Sequence, residues 1–417
     1  MAKKLYDCIV VGGGAAGMMA AVTAARNGVQ VLLIEGTSKL GSKILQTGNG
    51  KCNFTNYNMD VDMYNNDNHE FVRSALKLFN QYDAIDFFKS VGVFHKERNG
   101  YVYPHSETAA SLREAFVHEL DNKDVDVITE TAVHSIRKDG DLFIVNDRYK
   151  AGKLIITAGS KAAPKTGSDG SGYQLVKSLG HNVIKPLPSL VQLISDNKLC
   201  KQMAGVRSTG TVNLYCGDSV YSDYGEIQYT DYGISGIPVF QISHYAVRAL
   251  DMNEKVYADI DMIPDYSKEE LMEYVRDNAD TANKTIEQMF SGILNRKLVL
   301  AACARCSVDS GMPASIHNIK KIELVISSMK KFRFNITGNK SFDNAQVCQG
   351  GVSLDEINPK TMESCIVEGL YFAGEIMDVD GRCGGYNLQW AWTSGYIAGT
   401  SAAHDSKENT DVKSTQG

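Results

Sequence analysis

Apolar positions along this chain fall into short, nearly uninterrupted runs that stop at glycine. The run Tyr6-Asp7-Cys8-Ile9-Val10-Val11 is too short for a helix and too apolar for a half-exposed strand, so it reads as a strand covered on both faces. Gly12-Gly13-Gly14-Ala15-Ala16-Gly17 follows, then a helical stretch, then Val31-Leu32-Leu33-Ile34 closing on Glu35. That order predicts a βαβ unit. The same texture returns at Lys153-Leu154-Ile155-Ile156-Thr157-Ala158-Gly159 and at Gly369-Leu370-Tyr371-Phe372-Ala373-Gly374, which predicts a parallel sheet assembled from distant parts of the chain. Asp126 to Ile136 and Asp141 to Val145 also read as strands. Glu70 to Lys89 places Phe71, Ala75, Leu78 and Phe79 at helical spacing, a core-facing helix.

From Pro186 the pattern changes to alternation, as in Gly210 to Tyr215 and Val256 to Ile260, with many turn signals; an antiparallel sheet or small barrel is expected. Ser267-Lys268-Glu269-Glu270 is a capping box that opens a mostly helical stretch to about Ser328. The fold class is therefore α/β, a Rossmann-like domain interrupted by an inserted β-barrel and a small helical domain. The expected bounds are 1–187 with 345–404 for the split nucleotide-binding domain, 188–264 with 329–344 for the barrel, 265–328 for the helical part, and a polar, disordered tail over 405–417.

Composition narrows the possibilities without changing this picture. With 417 residues the chain is too long for one ordinary core, and 43% apolar with 22% charged residues is globular. A net charge of −6 argues against a general polyanion binder, although Arg296-Lys297, Lys320-Lys321 and Lys330-Lys331-Phe332-Arg333 leave a local basic patch open. No signal peptide and no spanning helix is expected, so the protein is expected to be soluble and cytoplasmic. The nine cysteines lack the pattern of a disulfide framework. Cys303-Ala304-Arg305-Cys306 has no second ligand pair to complete a zinc site, so core packing is the better reading and no metal is expected.

The chemistry starts at the first turn. Gly12 permits the tight bend, Gly14 lets backbone N–H groups approach a diphosphate, and Gly17 lets the helix pack close to the strand, so the phosphates sit on the helix N-terminus at Ala15 and Ala16. Glu35 lies 35 − 14 = 21 positions after the central glycine, where a carboxylate can accept both hydroxyls of an adenosine ribose. Gly41 to Asn56 is glycine-rich and small, a loop for close backbone approach to a ligand. Gly384-Gly385 opens a last helix, Tyr386 to Ala403, whose N–H groups can stabilise negative charge. Gly167 to Gly172 has the wrong spacing for a second dinucleotide fingerprint.

These three glycine-terminated strands together resemble the large family of two-domain FAD flavoproteins. More specifically, Lys43-Ile44-Leu45 through Thr47-Gly48-Asn49-Gly50-Lys51-Cys52-Asn53, with Gly374-Glu375 to Gly381 and Gly384-Gly385-Tyr386-Asn387-Leu388-Gln389-Trp390-Ala391, is similar to the BaiN/YhiN-like family of FAD-binding flavoproteins. The resemblance implies that FAD is held by Gly12, Gly14, Ala15, Ala16, Gly17 and Glu35, by Lys43, Thr47, Gly48, Gly50 and Asn53, by Val133, Ala158 and Gly159, and by Gly374, Glu375, Gly384, Gly385, Tyr386, Asn387 and Leu388. Glu375 stands where many such proteins have Asp. It further implies an oxidoreductase, with NAD(P)H as a transient reductant, that reduces a C=C bond conjugated to a carbonyl in a 3-oxo-Δ4 or Δ4,6 bile-acid or steroid enone. Alternatives are uridine reduction in ribosomal RNA, amine oxidation of the aminoacetone type, and a flavin-bound binding protein. Cys52 and Tyr386 are the candidate proton donors, with Tyr103 and His105 behind them. The oligomeric state is not legible.

Overall fold

The computed structural model describes residues 4–65, 67–279 and 283–414, the last ten as backbone only, and the chain divides into two compact units, Met1–Pro188 with Gln346–Gly417, and Ser189–Ala345. In the first unit the opening strand Leu5–Val11 lies between Val31–Ile34 and Tyr149–Ile156, all parallel, with Asp126–Ile128 at one edge and Leu370–Phe372 alongside the end of Tyr149–Ile156. The hairpin Ile136–Asp139 and Leu142–Val145 pairs antiparallel with the start of Tyr149–Ile156. The parallel strands are buried on both faces, as their unbroken apolar runs require.

Strand pairing stops earlier than the sequence suggests after Asp126. Only Asp126–Ile128 enters the sheet; Glu130 then takes φ +53°, and the N–H groups of Glu130 and Thr131 turn to donate to the carbonyls of Thr37 and Glu35. The expected helix over Glu70 to Lys89 is two helices, His69–Leu76 and Gln81–Ser90. Asn80 caps the second in a capping box with Asp83, so the chain breaks there and leaves Leu78 half exposed. The last helix runs Tyr386–Ser414, ten residues past 404, so the stretch expected to be disordered continues the helix as far as Ser414. Of the expected disordered tail, 415–417 lies outside the described residues.

The second unit closes a six-stranded antiparallel barrel in the order Leu193–Ser195, Gly233–Gly236, Ser219–Tyr229, Arg207–Cys216, Val256–Asp261, Phe332–Asn339. The capping box at Ser267 and Glu270 forms as expected and opens Lys268–Asn278. The sequence reading missed a helix inside the barrel stretch, Ile237–Asp251, whose Val239, Ile242, Ala246 and Ala249 recur at helical spacing. Barrel residues such as Val212, Ile260 and Phe334 share one continuous core with Leu271, Phe290 and Val325 of the helices.

Candidate functional site

Gly12 has φ +104°, and a Cβ there would sit 2.6 Å from the Thr157 carbonyl oxygen; a Cβ on Gly17 would sit 1.8 Å from the Gly12 oxygen. Both glycines are therefore demanded by packing. Gly14 is different, since a Cβ there meets nothing within 4 Å. Gly14 caps the helix Ala15–Arg26 without a side-chain cap, and the first intrahelical bond runs from the Met18 N–H to the Gly14 carbonyl. The N–H groups of Ala15, Ala16 and Gly17 are thus left without helical partners. Thr157, which the reading of site residues passed over, fastens this turn: its hydroxyl lies 2.7 Å from the Gly12 carbonyl and 2.9 Å from that of Val11.

Glu35 is held in place by the same turn. Its Oε2 accepts the Gly13 N–H at 2.7 Å, and its Oε1 accepts both the N–H and the hydroxyl of Thr37 at 2.7 Å. Three of its four acceptor positions are filled, which leaves one for a ligand hydroxyl. The Thr37 hydroxyl also lies 3.0 Å from the Lys39 carbonyl, so a small rotation frees a second. Val133 lies in the segment whose backbone bonds to Glu35 and Thr37, half-buried against the core.

The third motif closes on the first. A Cβ on Gly374 would fall 2.7 Å from the Ala16 Cβ, and the Gly374 N–H donates to Ser394 Oγ of the last helix at 2.9 Å. Glu375 Oε2 accepts from Lys43 Nζ at 2.6 Å and Ser160 Oγ at 3.1 Å, joining the two long motifs 332 positions apart. Ala158 and Gly159 form the turn beside this pair; Gly159 has φ +73°, and Ser168 Oγ takes the adjacent Ser160 N–H.

The loop after Lys43 runs through Gly48, Asn49, Gly50 and Cys52, all at positive φ. Thr47 anchors it through its hydroxyl to the Ile44 carbonyl and its own carbonyl to the Cys52 N–H. Burial pushes the Cys52 thiol up to about 12, and the side chain has no exposed surface. Asn53 Oδ1 is buried with no hydrogen-bond partner, an acceptor awaiting a donor. Gly50, like Gly14, opens onto free space.

At the last helix Gly384 and Gly385 take φ +130° and +95°, and a Cβ on Gly385 would strike the Thr55 carbonyl at 2.6 Å. The first helical bond runs from the Gln389 N–H to the Gly385 carbonyl, so the N–H groups of Tyr386, Asn387 and Leu388 are free of helical partners. Asn387 uses its side chain on its own loop, accepting the Gly381 N–H and donating to the Gly381 carbonyl. The Tyr386 hydroxyl donates to the Asn58 carbonyl at 3.2 Å, and burial raises its pKa. Tyr103 is half-buried beside Gly48, whereas His105 is exposed.

One constellation was invisible in the sequence. His181 Nδ1 meets Glu356 Oε2 at 3.0 Å and His181 Nε2 meets Ser364 Oγ at 2.9 Å, the connectivity of a hydrolase triad. Ser364 Oγ also accepts the N–H groups of Ile366 and Val367, at 3.0 and 2.8 Å. With its proton on His181 and both lone pairs engaged, this hydroxyl is a turn staple and no nucleophile. Among the described residues no His, Cys, Asp and Glu cluster suits a metal, all nine cysteines are free, and no helix is long and apolar enough to cross a membrane.

Comparison with known proteins places this geometry. A family model described as HI0933-like protein Rossmann domain matches residues 6–401. The chain is 39% identical over 401 residues to a 3-dehydro-bile acid delta(4,6)-reductase of Clostridium scindens, covering 94% of this chain and 98% of that protein. It is 30% identical over 409 residues to a ribosomal RNA dihydrouridine synthase of Haemophilus influenzae, covering 96% and 99%. Among solved structures, the 3-ketosteroid-delta4-(5alpha)-dehydrogenase of Rhodococcus jostii superposes with a TM-score of 0.50 at 15% identity, covering 96% of this chain and 97% of that one. That last likeness speaks to the fold alone.

Proposed function

The chain belongs to the HI0933-like Rossmann family, and on that premise we propose that this FAD-dependent oxidoreductase reduces the conjugated C=C bond of a small 3-oxo-Δ4 or Δ4,6 enone of the bile-acid or steroid class. The residues fit the cofactor: two helix N-termini with free N–H groups, open space at Gly14 and Gly50, and the unpartnered Asn53 Oδ1. Gly12 to Gly17 would hold the diphosphate, Glu35 the adenosine ribose, Val133 the neighbouring adenine side, Ala158, Gly159 and the Lys43–Glu375 pair the middle of the molecule. Thr47 to Asn53 and the N–H groups after Gly385 would hold the ring system. When bound, FAD supplies the hydride. The protein's part is to orient the enone, exclude water and deliver the proton.

The observation that carries the choice of a small molecule is the pairing of the Lys330 to Arg333 cluster. Arg333 makes a bidentate pair with Asp259 at 2.7 Å for both bonds, Lys331 lies 3.6 Å from the same carboxylate, and Lys330 binds Asp261 at 2.7 Å. The cluster that favoured a polyanion is largely neutralised, and the 39% identical reductase supports an enone. The second reading, uridine reduction in ribosomal RNA, is supported by the relative so named at 30% identity. Anaerobic reduction of the purified holoprotein by NADH or NADPH, then mixing with a 3-oxo-Δ4,6 steroid or with uridine-containing RNA, separates them. Reoxidation of the flavin by the steroid, with a product two mass units heavier, is expected. Silence with the steroid and dihydrouridine in the RNA would overturn the choice.

A further inference from the structure

The reduction adds a hydride at one carbon of the double bond and a proton at the carbon next to the carbonyl, and the second needs an acid. Five acidic side chains lie in or beside the two glycine loops: Cys52, Tyr101, Tyr103, Cys383 and Tyr386. Cys52 has no surface from which to meet a substrate, the Cys383 thiol is turned to Gln346 Oε1 at 3.9 Å, and the Tyr386 proton is given to the Asn58 carbonyl. Tyr101 and Tyr103 remain. The strand Tyr101–Pro104 alternates, with Val102 and Pro104 in the core and the two tyrosines on the half-exposed face. Neither phenol has a hydrogen-bond partner among the described residues.

The two differ in what they face. Both stand opposite cations of the neighbouring strand, Tyr101 across from Arg98 and Tyr103 across from Lys96, and Tyr103 lies beside Gly48 of the first loop. Tyr101 lies against the other loop. Its Cε1 and the Tyr386 Cε2 each come within 3.0 Å of where a Gly384 Cβ would be, so the ring occupies space that only glycine leaves open. That position is two residues before the free N–H groups of the last helix.

We propose that Tyr101 is the proton donor of the double-bond reduction. This rests on the reading of the protein as a reductase of conjugated C=C bonds. The hydride comes from reduced flavin, itself recharged by a nicotinamide nucleotide. The Tyr101 O–H bond breaks as the new C–H bond forms next to the carbonyl, and the phenolate recovers a proton from solvent, so two electrons and two hydrogens enter the substrate.

The test is anaerobic stopped-flow on the holoenzyme with Tyr101→Phe and Tyr103→Phe, the two half-reactions being followed separately. For Tyr101→Phe, flavin reduction by the nicotinamide nucleotide is expected within about twofold of wild type, and reoxidation by the 3-oxo-Δ4,6 steroid slowed about 100-fold or more. The solvent deuterium isotope effect on wild-type reoxidation should vanish in this variant. Binding of a saturated 3-oxo steroid, read from the flavin absorbance, should persist and so report an intact fold. Reoxidation of Tyr101→Phe within threefold of wild type, or a large loss in Tyr103→Phe in its place, overturns the proposal. If wild-type enzyme is not reoxidised by the steroid, the enone reading has failed on its own account. The same variants are then compared on RNA uridine, where the proton goes to C5 beside the C4 carbonyl, and the same two outcomes apply.

Discussion

Gly14, which we propose is kept for a ligand, contrasts with Gly399, which packing demands. A Cβ on Gly399 would lie 2.4 Å from the Ala20 carbonyl oxygen, and ordinary contact begins at 3.4 Å, so the first and last helices must separate by about 1 Å. Overpacking of that kind costs about 1–3 kcal/mol, while alanine in a helix interior returns about 1 kcal/mol over glycine. Packing wins, and Gly399→Ala is expected to lose about 1 kcal/mol, roughly 2–4 °C in Tm for a unit of this size. Gly14→Ala should behave oppositely. Its φ of −76° suits alanine and its Cβ touches nothing, so the loss of about 0.5–1 kcal/mol from a poorer N-cap is offset by the gain of about 0.4–1 kcal/mol that alanine returns through the unfolded chain, and the melting of FAD-free protein should shift little. A methyl in the space a diphosphate would fill should cost about 1–3 kcal/mol of FAD binding, roughly 5- to 150-fold in Kd. Differential scanning fluorimetry of the apoprotein and FAD titration by flavin fluorescence read the two quantities independently. Wild-type FAD affinity in Gly14→Ala, or a stabilised Gly399→Ala, would refute the reasoning.

Two further outcomes follow from buried titratable groups. Burial lowers the His181 pKa below 6.5; burial pushes the Glu356 carboxyl up, but hydrogen bonds from Asn182 and His181 outweigh it and hold it below 4.5. Both groups bind fewer protons folded than unfolded, so stability should be full above about pH 6.5 and decline as the pH falls, first through the histidine and again below 4.5. A His181→Phe variant should flatten the first step in a Tm-against-pH series, and an unchanged slope would count against the assignment. For the thiols, iodoacetamide at pH 8 should label exposed Cys365 in native protein and leave Cys52 unmodified until unfolding, because burial holds its thiol near 12. Peptide mass spectrometry showing Cys52 labelled as fast as Cys365 would contradict that burial.

What was legible in the sequence was local. The fingerprint turn, the capping box at Ser267 and the apolar runs of the parallel strands are each set by neighbours within a few residues, so residue type alone betrays them. What was not legible depends on register or on distant partners. Lys330, Lys331 and Arg333 read as free charge because nothing in their own segment announces that Asp259 stands opposite Arg333 on the neighbouring strand. Thr157 looked like part of a strand end, yet its hydroxyl holds the Gly12 turn across 145 positions. The triad-like line through His181 joins two segments that lie 175 and more positions apart. The helix Ile237–Asp251 was missed because it sits amid alternating strands, where a barrel was the dominant pattern.

The crossing of the first and last helices explains why the nucleotide-binding unit needs both ends of the chain. Gly395 and Gly399 bring the last helix onto the Ala16 and Ala20 carbonyls, at 2.6 and 2.4 Å from the positions their Cβ atoms would take. Gly374 packs on Ala16 in the same place, tied by its N–H to Ser394. Backbone thus meets backbone, with no flexible side chain between to absorb a displacement. The free N–H groups after Gly14 and those after Gly385 belong to these two helices, so one contact fixes both helix N-termini at once. A ligand that spans them needs that spacing to be invariant, and small residues at the crossing are the direct way to make it so.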